Sequence, residues 1–275
     1  DAKSKVYGAA DPALTYEITT GSLETDDDLS GSLSRTAGED VGEYAISSTL
    51  ANANYDITFV PADFTITEKA ITVTADAKTK VYGEVDPALT YKVSPALESG
   101  DALTGGLSRS TGETVGEYAI ASTLANTNYD ITFVSADLTI TEKAITVTAD
   151  AKTKVYAATD PDLTYSVSPS LETGDALIGS LLRATGETVG EYAISSTLAN
   201  TNYDITFVSA DLTITEKAIT ITADSKSKVY GAADPALTYK VSPALEPSDA
   251  LTGSLSRATG ETVGEYAISS TLANA

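Results

Sequence analysis

Lys143-Ala-Ile-Thr-Val-Thr-Ala-Asp-Ala-Lys-Thr-Lys-Val155 is the stretch on which the fold turns. Ile145, Val147, Ala149, Ala151, Thr153 and Val155 alternate with Thr146, Thr148, Asp150, Lys152 and Lys154. A period of two in a β-branched run predicts one long, half-buried strand. The phrase also opens at Lys69 and, lightly varied, at Lys217, a period of 74 residues. Residues 69–142 and 143–216 match at 62 of 74 positions. Near-identical small units build an array in which each copy mainly meets its neighbours, whereas catalysis needs one asymmetric pocket.

The period cuts the 275 residues into units 1–68, 69–142, 143–216 and 217–275. Asp1 aligns with Asp76, so the first unit lacks a counterpart of Lys69–Ala75 and hence a first strand. The last unit lacks a counterpart of Asn202–Glu216, the final strand pair. No Met occurs anywhere, so the start of the protein is expected upstream.

Working outward in the third unit, Asp160-Pro161 punctuates the chain, and Leu163, Tyr165 and Val167 alternate as a second strand. The first two strands are expected to form a hairpin around 156–162. Asp175–Leu181 reads as a short strand or a single helical turn with Asp175 as its N-cap. Strands are expected around Tyr192 and Ile194, then Tyr203, Ile205 and Phe207, then Leu212 and Ile214. The fold class is mainly β: an elongated tandem array of four small domains. Each is β-grasp-like or, alternatively, an immunoglobulin-like sandwich, which is typically longer at about 100 residues.

The inward parity changes across Thr141-Glu142-Lys143-Ala144, from Leu138 and Ile140 to Ile145 and Val147. A one-residue slip sends side chains to the opposite face, so one core ends here and the next begins. The linker has no Gly, Pro or Ser and cannot act as a flexible tether. Restricted bending is expected, with each unit advancing the array by about 35–45 Å.

Cys, His, Met, Trp and Gln are all absent. That removes disulfides, thiol nucleophiles, a Ser-His-Asp triad and thiolate or imidazole metal sites. Net charge is −22, with ten acids against five bases in the second unit and ten against four in the third. Nucleic-acid binding needs clustered Lys or Arg, so no nucleic-acid partner is expected. No apolar run is long enough to span a membrane in this stretch.

Four candidate chemistries remain. Ca²⁺ at the junctions would use Glu68 with Glu98 and Asp101, Glu142 with Glu172 and Asp175, and Glu216 with Glu246 and Asp249; carboxylates and loop carbonyls suit that ion. A self-formed isopeptide needs a buried Lys, but Lys78 and Lys80 lie on the outward parity of the first strand, and Asn126 and Asn128 read as turn residues. A carboxylate pair for glycoside hydrolysis would be odd if repeated in every copy, so no catalytic residue and no enzyme activity is expected. Tyr91, Tyr118 and Tyr129 share parity with apolar neighbours and read as core or rim. Tyr82 falls off that parity and reads as exposed.

Lys80-Val-Tyr-Gly83, Asp86-Pro-Ala-Leu-Thr-Tyr91, Gly100-Asp-Ala-Leu-Thr-Gly105, Val115-Gly-Glu-Tyr-Ala-Ile120 and Asn128-Tyr-Asp-Ile-Thr-Phe133 recur in order through the units, closing on Leu-Thr-Ile-Thr. Together they resemble the MBG-type repeats of large bacterial surface proteins, the class named for a Tyr-Gly-x motif. Ala157 replaces the motif's Gly in the third unit. The resemblance implies an extracellular, cell-surface or secreted β module in tandem arrays of adhesin-like proteins, and supplies no ligand. The function expected is a spacer or stalk whose partners are neighbouring repeats. The alternative is a multivalent adhesive array that binds glycan or a host or cell-surface protein.

Overall fold

A computed structural model describes residues 1–274. It is built of strands, with no helix among the described residues. The first repeat carries β1 (Lys3–Val6), β2 (Leu33–Arg35), β3 (Gly42–Ser48) and β4 (Asp63–Thr67). The second carries β5 (Lys69–Ala75), β6 (Lys78–Val81), β7 (Tyr91–Ser94), β8 (Leu107–Arg109), β9 (Gly116–Ser122), β10 (Tyr129–Val134) and β11 (Asp137–Thr141). The third repeats that set as β12 (Lys143–Ala149), β13 (Lys152–Val155), β14 (Tyr165–Ser168), β15 (Leu181–Arg183), β16 (Gly190–Ser196), β17 (Tyr203–Val208) and β18 (Asp211–Thr215). The last holds β19 (Thr220–Ala223), β20 (Tyr239–Ser242), β21 (Leu251–Thr252), β22 (Leu255–Arg257), β23 (Ile268–Ser270) and β24 (Ala273–Asn274).

Each full repeat divides its strands between two sheets, as the immunoglobulin-like alternative expects. In the second repeat these are β10-β5-β7 and β6-β11-β9-β8; in the third, β14-β12-β17 and β13-β18-β16-β15. The helical turn allowed at Asp175–Leu181 does not form: an isolated bridge joins Ile178 to Ala199.

The long strand of the sequence is in fact two strands in two sheets. β5 pairs antiparallel with β7 (Val73 opposite Val93) and parallel with β10 (Ile71 beside Ile131). After Asp76-Ala77 the chain crosses over, and β6 pairs parallel with β11, Lys80 beside Ile140. The expected hairpin pairing therefore exists, but only for the first half of the run, and β6 or β13 lies inside its loop. The crossing also reverses the inward parity. Ile71, Val73 and Ala75 are buried on odd numbers, then Lys80 is buried on an even one. In the third repeat Ile145, Val147 and Ala149 are followed by buried Lys154, while Val155 stands 46% exposed. The outward reading of Lys80 is overturned for this reason: alternation holds within a strand, not across a change of sheet.

Contacts divide the chain into two compact units, Asp1–Lys143 with Thr201–Asp204, and Ala144–Asn200 with Ile205–Ala275. Within the first unit one core gathers Ile46, Phe64 and Ile66, and another gathers Ile71, Val73 and Tyr129. Tyr7 packs against both.

Candidate functional site: a buried lysine clasp and a tyrosine joint

Two constellations recur along the chain. The first is an ion cluster inside each repeat. β6 delivers Lys80, whose stem lies on the inner face beside Ile140 and whose side chain is 3% exposed. Its ammonium reaches Asp86 Oδ1 at 2.7 Å, Glu113 Oε2 at 2.6 Å and the Glu84 carbonyl at 3.0 Å. An apolar stem with its charged tip at the edge of the core is the usual way a lysine is buried. Arg109, at the end of β8, closes the ring of charges. It donates to Asp86 through Nε at 2.6 Å and Nη2 at 3.1 Å, and through Nη2 to Glu113. Its remaining amine donates to the Gly112 carbonyl at 2.5 Å, and the guanidinium stands 5.1 Å from the centre of the Tyr118 ring. Gly112 has φ +144°, and a Cβ there would fall 2.3 Å from that ring. The close lid of Tyr118 over the cluster requires the glycine.

The same four residue types meet in every copy: Lys5, Asp11, Arg35 and Glu39; Lys154, Asp160, Arg183 and Glu187; Lys228, Asp234, Arg257 and Glu261. Alternating charges hold each other ionised. Arg109, then Lys80, draw Asp86 down to about 2, and Lys80 and Arg109 lower Glu113. Burial alone would lower Lys80, but the bonds to Asp86 and Glu113 outweigh it and raise the lysine.

That electrostatic balance bears on covalent chemistry. A buried Lys beside an Asp and a Glu is the residue set of a self-formed isopeptide. An amide, however, requires a neutral amine and an electrophilic carboxyl. Here the guanidinium fixes the carboxylates as anions and they fix the lysine as a cation. The arrangement is an ionic clasp. Asn126 takes no part in it, its side chain donating to the Ala102 carbonyl.

The second constellation is the joint between the first and second repeats, inside the first unit. Tyr7 of the Lys-Val-Tyr-Gly phrase points away from β1. Its hydroxyl donates to Asp101 Oδ2 at 2.9 Å, and its ring meets that of Tyr129 edge to face at 5.5 Å. Tyr129 donates to the same carboxylate oxygen at 2.5 Å and accepts from the Glu98 backbone N–H at 2.8 Å. Asn128 completes the seat: its Nδ2 donates to Asp40 at 2.9 Å and its Oδ1 accepts from Val41 N–H at 2.9 Å. The hydrogen bond to Asp101, then burial, raise Tyr7; burial, then the bond to Asp101, push Tyr129 up to about 12. Gly8, with φ +80°, lies so near Glu98 that a Cβ would approach it to 2.5 Å. The Tyr-Gly step thus turns the chain and leaves room for the next repeat. Ala157 adopts the same left-handed backbone at φ +68°, at a cost glycine avoids.

The joint recurs. Still within the first unit, Tyr82 meets Tyr203 edge to face at 5.5 Å, and Val115 N–H donates to Asn202 Oδ1 at 3.1 Å. In the second unit Tyr156 donates to Asp249 at 2.9 Å. The reading of Tyr82 as exposed is corrected accordingly: it leaves its own repeat's inner face and is half-buried.

Four of the candidate Ca²⁺ ligands have other partners. Glu98 pairs with the Lys69 ammonium, and Glu246 with Lys217 at 2.5 Å. Asp101 accepts the two phenols, and Asp249 accepts that of Tyr156. Glu172 and Asp175 are half-buried in the third repeat, joined by a backbone bond from Asp175 N–H to the Glu172 carbonyl at 3.0 Å. Glu68, Glu142 and Glu216 are exposed at the linkers. Among the described residues no group of three or more acids is placed to hold a metal ion, and no helix is long and apolar enough to cross a membrane. A concavity lies in the last repeat, lined by Lys228, Tyr230, Arg257, Val263 and Tyr266. In the third repeat β18 fills the corresponding place, beside Lys154 and Tyr192.

The clasp has a legible trace. The second and third repeats differ at 12 positions, all between 83 and 121, yet Asp86, Arg109 and Glu113 are unchanged within that drifting segment. Spacing alone does not reveal it, because the alternation puts Lys80 on the wrong face.

Fold and sites define a tandem array of small two-sheet β modules, joined through a tyrosine on one and a Tyr-Asp-Asn seat on the next. The chain belongs to the family described as MBG domain (YGX type), which matches residues 1–65, 71–139, 145–213 and 219–275. Among solved structures, the one titled "Sidekick-1 immunoglobulin domains 1-5" is similar at 11% identity and a TM-score of 0.21, covering 85% of this chain. This chain spans 65% of the length of that one. Among curated proteins none matches.

Proposed function

We propose that this chain is a spacer segment of a bacterial cell-surface, adhesin-like protein. It lies outside the cell, performs no catalysis, and holds a distal functional domain away from the surface. Tandem MBG repeats support a structural role. The linkers are short, and the excess of acids repels copies from one another and keeps a long array dissolved. The observation that carries the reading is Tyr7, packed against the cores of two successive repeats and bonded to Asp101 of the second. A flexible tether has no use for such a key. A spacer does, because reach is lost when modules swivel.

The absence of cysteine makes the test clean. Spin labels at Glu43→Cys and Glu117→Cys, both exposed, report the distance across the first joint by pulsed electron resonance. A single narrow distance distribution is expected, which Tyr7→Ala broadens and Tyr230→Ala leaves alone. A broad distribution in the parent chain overturns the stiff spacer. A glycan array and pull-down on the intact chain separate it from an adhesive array, for which direct capture by the repeats is the required result.

A further inference from the structure

We propose that each full repeat is a shear clamp that bears tension along the chain. This rests on the spacer reading and adds a mechanical role to it. In the second repeat the chain enters at Lys69, at the start of β5, and leaves at Thr141, at the end of β11. The entering strands lie parallel to the leaving ones: β5 beside β10 over six residue pairs, from Lys69 with Tyr129 to Thr74 with Val134, and β6 beside β11 over four. A pull between Lys69 and Thr141 draws β5 and β6 backward and β10 and β11 forward along their own axes. The ladder bonds of both pairs are then loaded together, in shear. An antiparallel pair pulled from its open end peels one bond at a time.

Further bonds reinforce the loaded pair. Tyr82 N–H donates to the Thr141 carbonyl at 2.9 Å, and Thr141 Oγ1 donates to the Lys80 carbonyl at 3.3 Å. The ionic clasp lies beside the pair rather than across it, fastening Lys80 of β6 to Asp86 and Glu113 in the loops after β6 and before β9. The design is repeated: β1 runs parallel to β4, with Tyr7 N–H on the Thr67 carbonyl at 2.9 Å, and β13 runs parallel to β18, with Tyr156 N–H on the Thr215 carbonyl at 2.8 Å. In the last repeat residues 225–228 join no strand among the described residues, so it serves as an internal contrast.

Resistance to forced unfolding follows the unfolding rate rather than equilibrium stability, so the test is pulling. The full chain held by its two ends is expected to give two high-force events, one for each full repeat, while the first repeat, held by the four-pair β1/β4 ladder alone, ruptures at intermediate force. Each high-force event releases a repeat, with peaks about 220 Å apart, at about 3.5 Å per freed residue less the roughly 40 Å a folded repeat spans; the last repeat opens first, at low force. A second chain carries handles at Val85→Cys and Glu142→Cys, beyond the adjoining ends of β6 and β11, so that the same pair is peeled. Its rupture force is expected to fall at least twofold. Equal force from both directions, or the absence of high-force events in the end-to-end pull, overturns the clamp. Neither result touches the spacer reading, which stands or falls on the joint distances.

Discussion

Lys80 and Lys228 occupy the same place in the same repeated phrase. Each sits six residues before an Asp and 33 before a Glu, and each bonds to both. Yet the first side chain is 3% exposed and the second 22%. Ile145 and Ile219 diverge likewise, one buried at 3% and the other half-buried. Tyr7 is packed between two cores, while Tyr230, in the same motif, is 74% exposed. The contrast separates two layers of the design. The ion cluster draws all four of its residues from one repeat and forms in all four copies. Burial is added by strands that arrive late in each repeat, β11 or β18 beside the lysine strand, and by the following repeat over the tyrosine.

Truncating a core isoleucine in each setting tests this contrast most severely. Ile145→Ala should cost about 2–5 kcal/mol, the range for truncating a fully buried aliphatic side chain, and Ile219→Ala less than half of that. Chemical denaturation of the full chain, followed by a reporter placed in each repeat, checks both. Equal costs would mean that the late strands contribute little packing.

The lysines come next. Lys80→Ala leaves two acids facing one guanidinium beneath the Tyr118 lid, whereas Lys228→Ala removes a charge from a more open site. The fall in melting temperature is expected to be clearly larger for Lys80→Ala, and added salt should narrow the gap by screening the exposed carboxylates.

Titration probes the same clusters and joints. Asp11, Asp86 and Asp234 are each held at about 2 by their arginine and lysine partners. A depressed acid stabilises the fold above its unfolded value near 3.9, and the benefit is lost as pH falls toward about 2. Acid unfolding should concentrate in that window and shift upward in Arg109→Ala. The phenol works in the opposite sense. Tyr129, raised to about 12, contributes below the ordinary tyrosine value near 10, and its contribution is lost as pH rises through about 12. Tyrosinate absorbance should therefore show a late-titrating group, removed by Tyr129→Phe, with the first joint loosening over the same interval.

The smallest signal is an unchanged number. Intact mass should equal the sequence mass, because a Lys80–Asp86 amide would release one water per repeat and the ionised clasp forbids it. A deficit of one water per repeat would convert the clasp into a covalent crosslink.

Much of the fold is legible in the residues alone. The 74-residue period sets the repeats, and the parity of Leu138 and Ile140 against Ile145 and Val147 places the core residues on either side of the linker. The strands at Tyr192, Tyr203 and Leu212 form where alternation puts them. These readings succeed because a side chain's face within one strand is a local property, fixed by backbone pleat. The clasp and the joint are not legible in this way. Lys80 reads as outward because nothing local marks Asp76-Ala77 as a crossing between sheets, and Tyr82 reads as exposed because its cover lies more than a full repeat away in sequence.

The module, its repetition, its acidic character and the exclusion of thiol and imidazole chemistry all follow from the residues read in order. Which lysine is buried, what each acid binds, and that the tyrosine of the repeated motif serves the next repeat as well as its own emerge only in the folded chain. The difference is one of range. Pleat and turn preferences act over a few residues, whereas desolvation and charge pairing depend on whichever strands and loops the completed fold brings within a few ångströms.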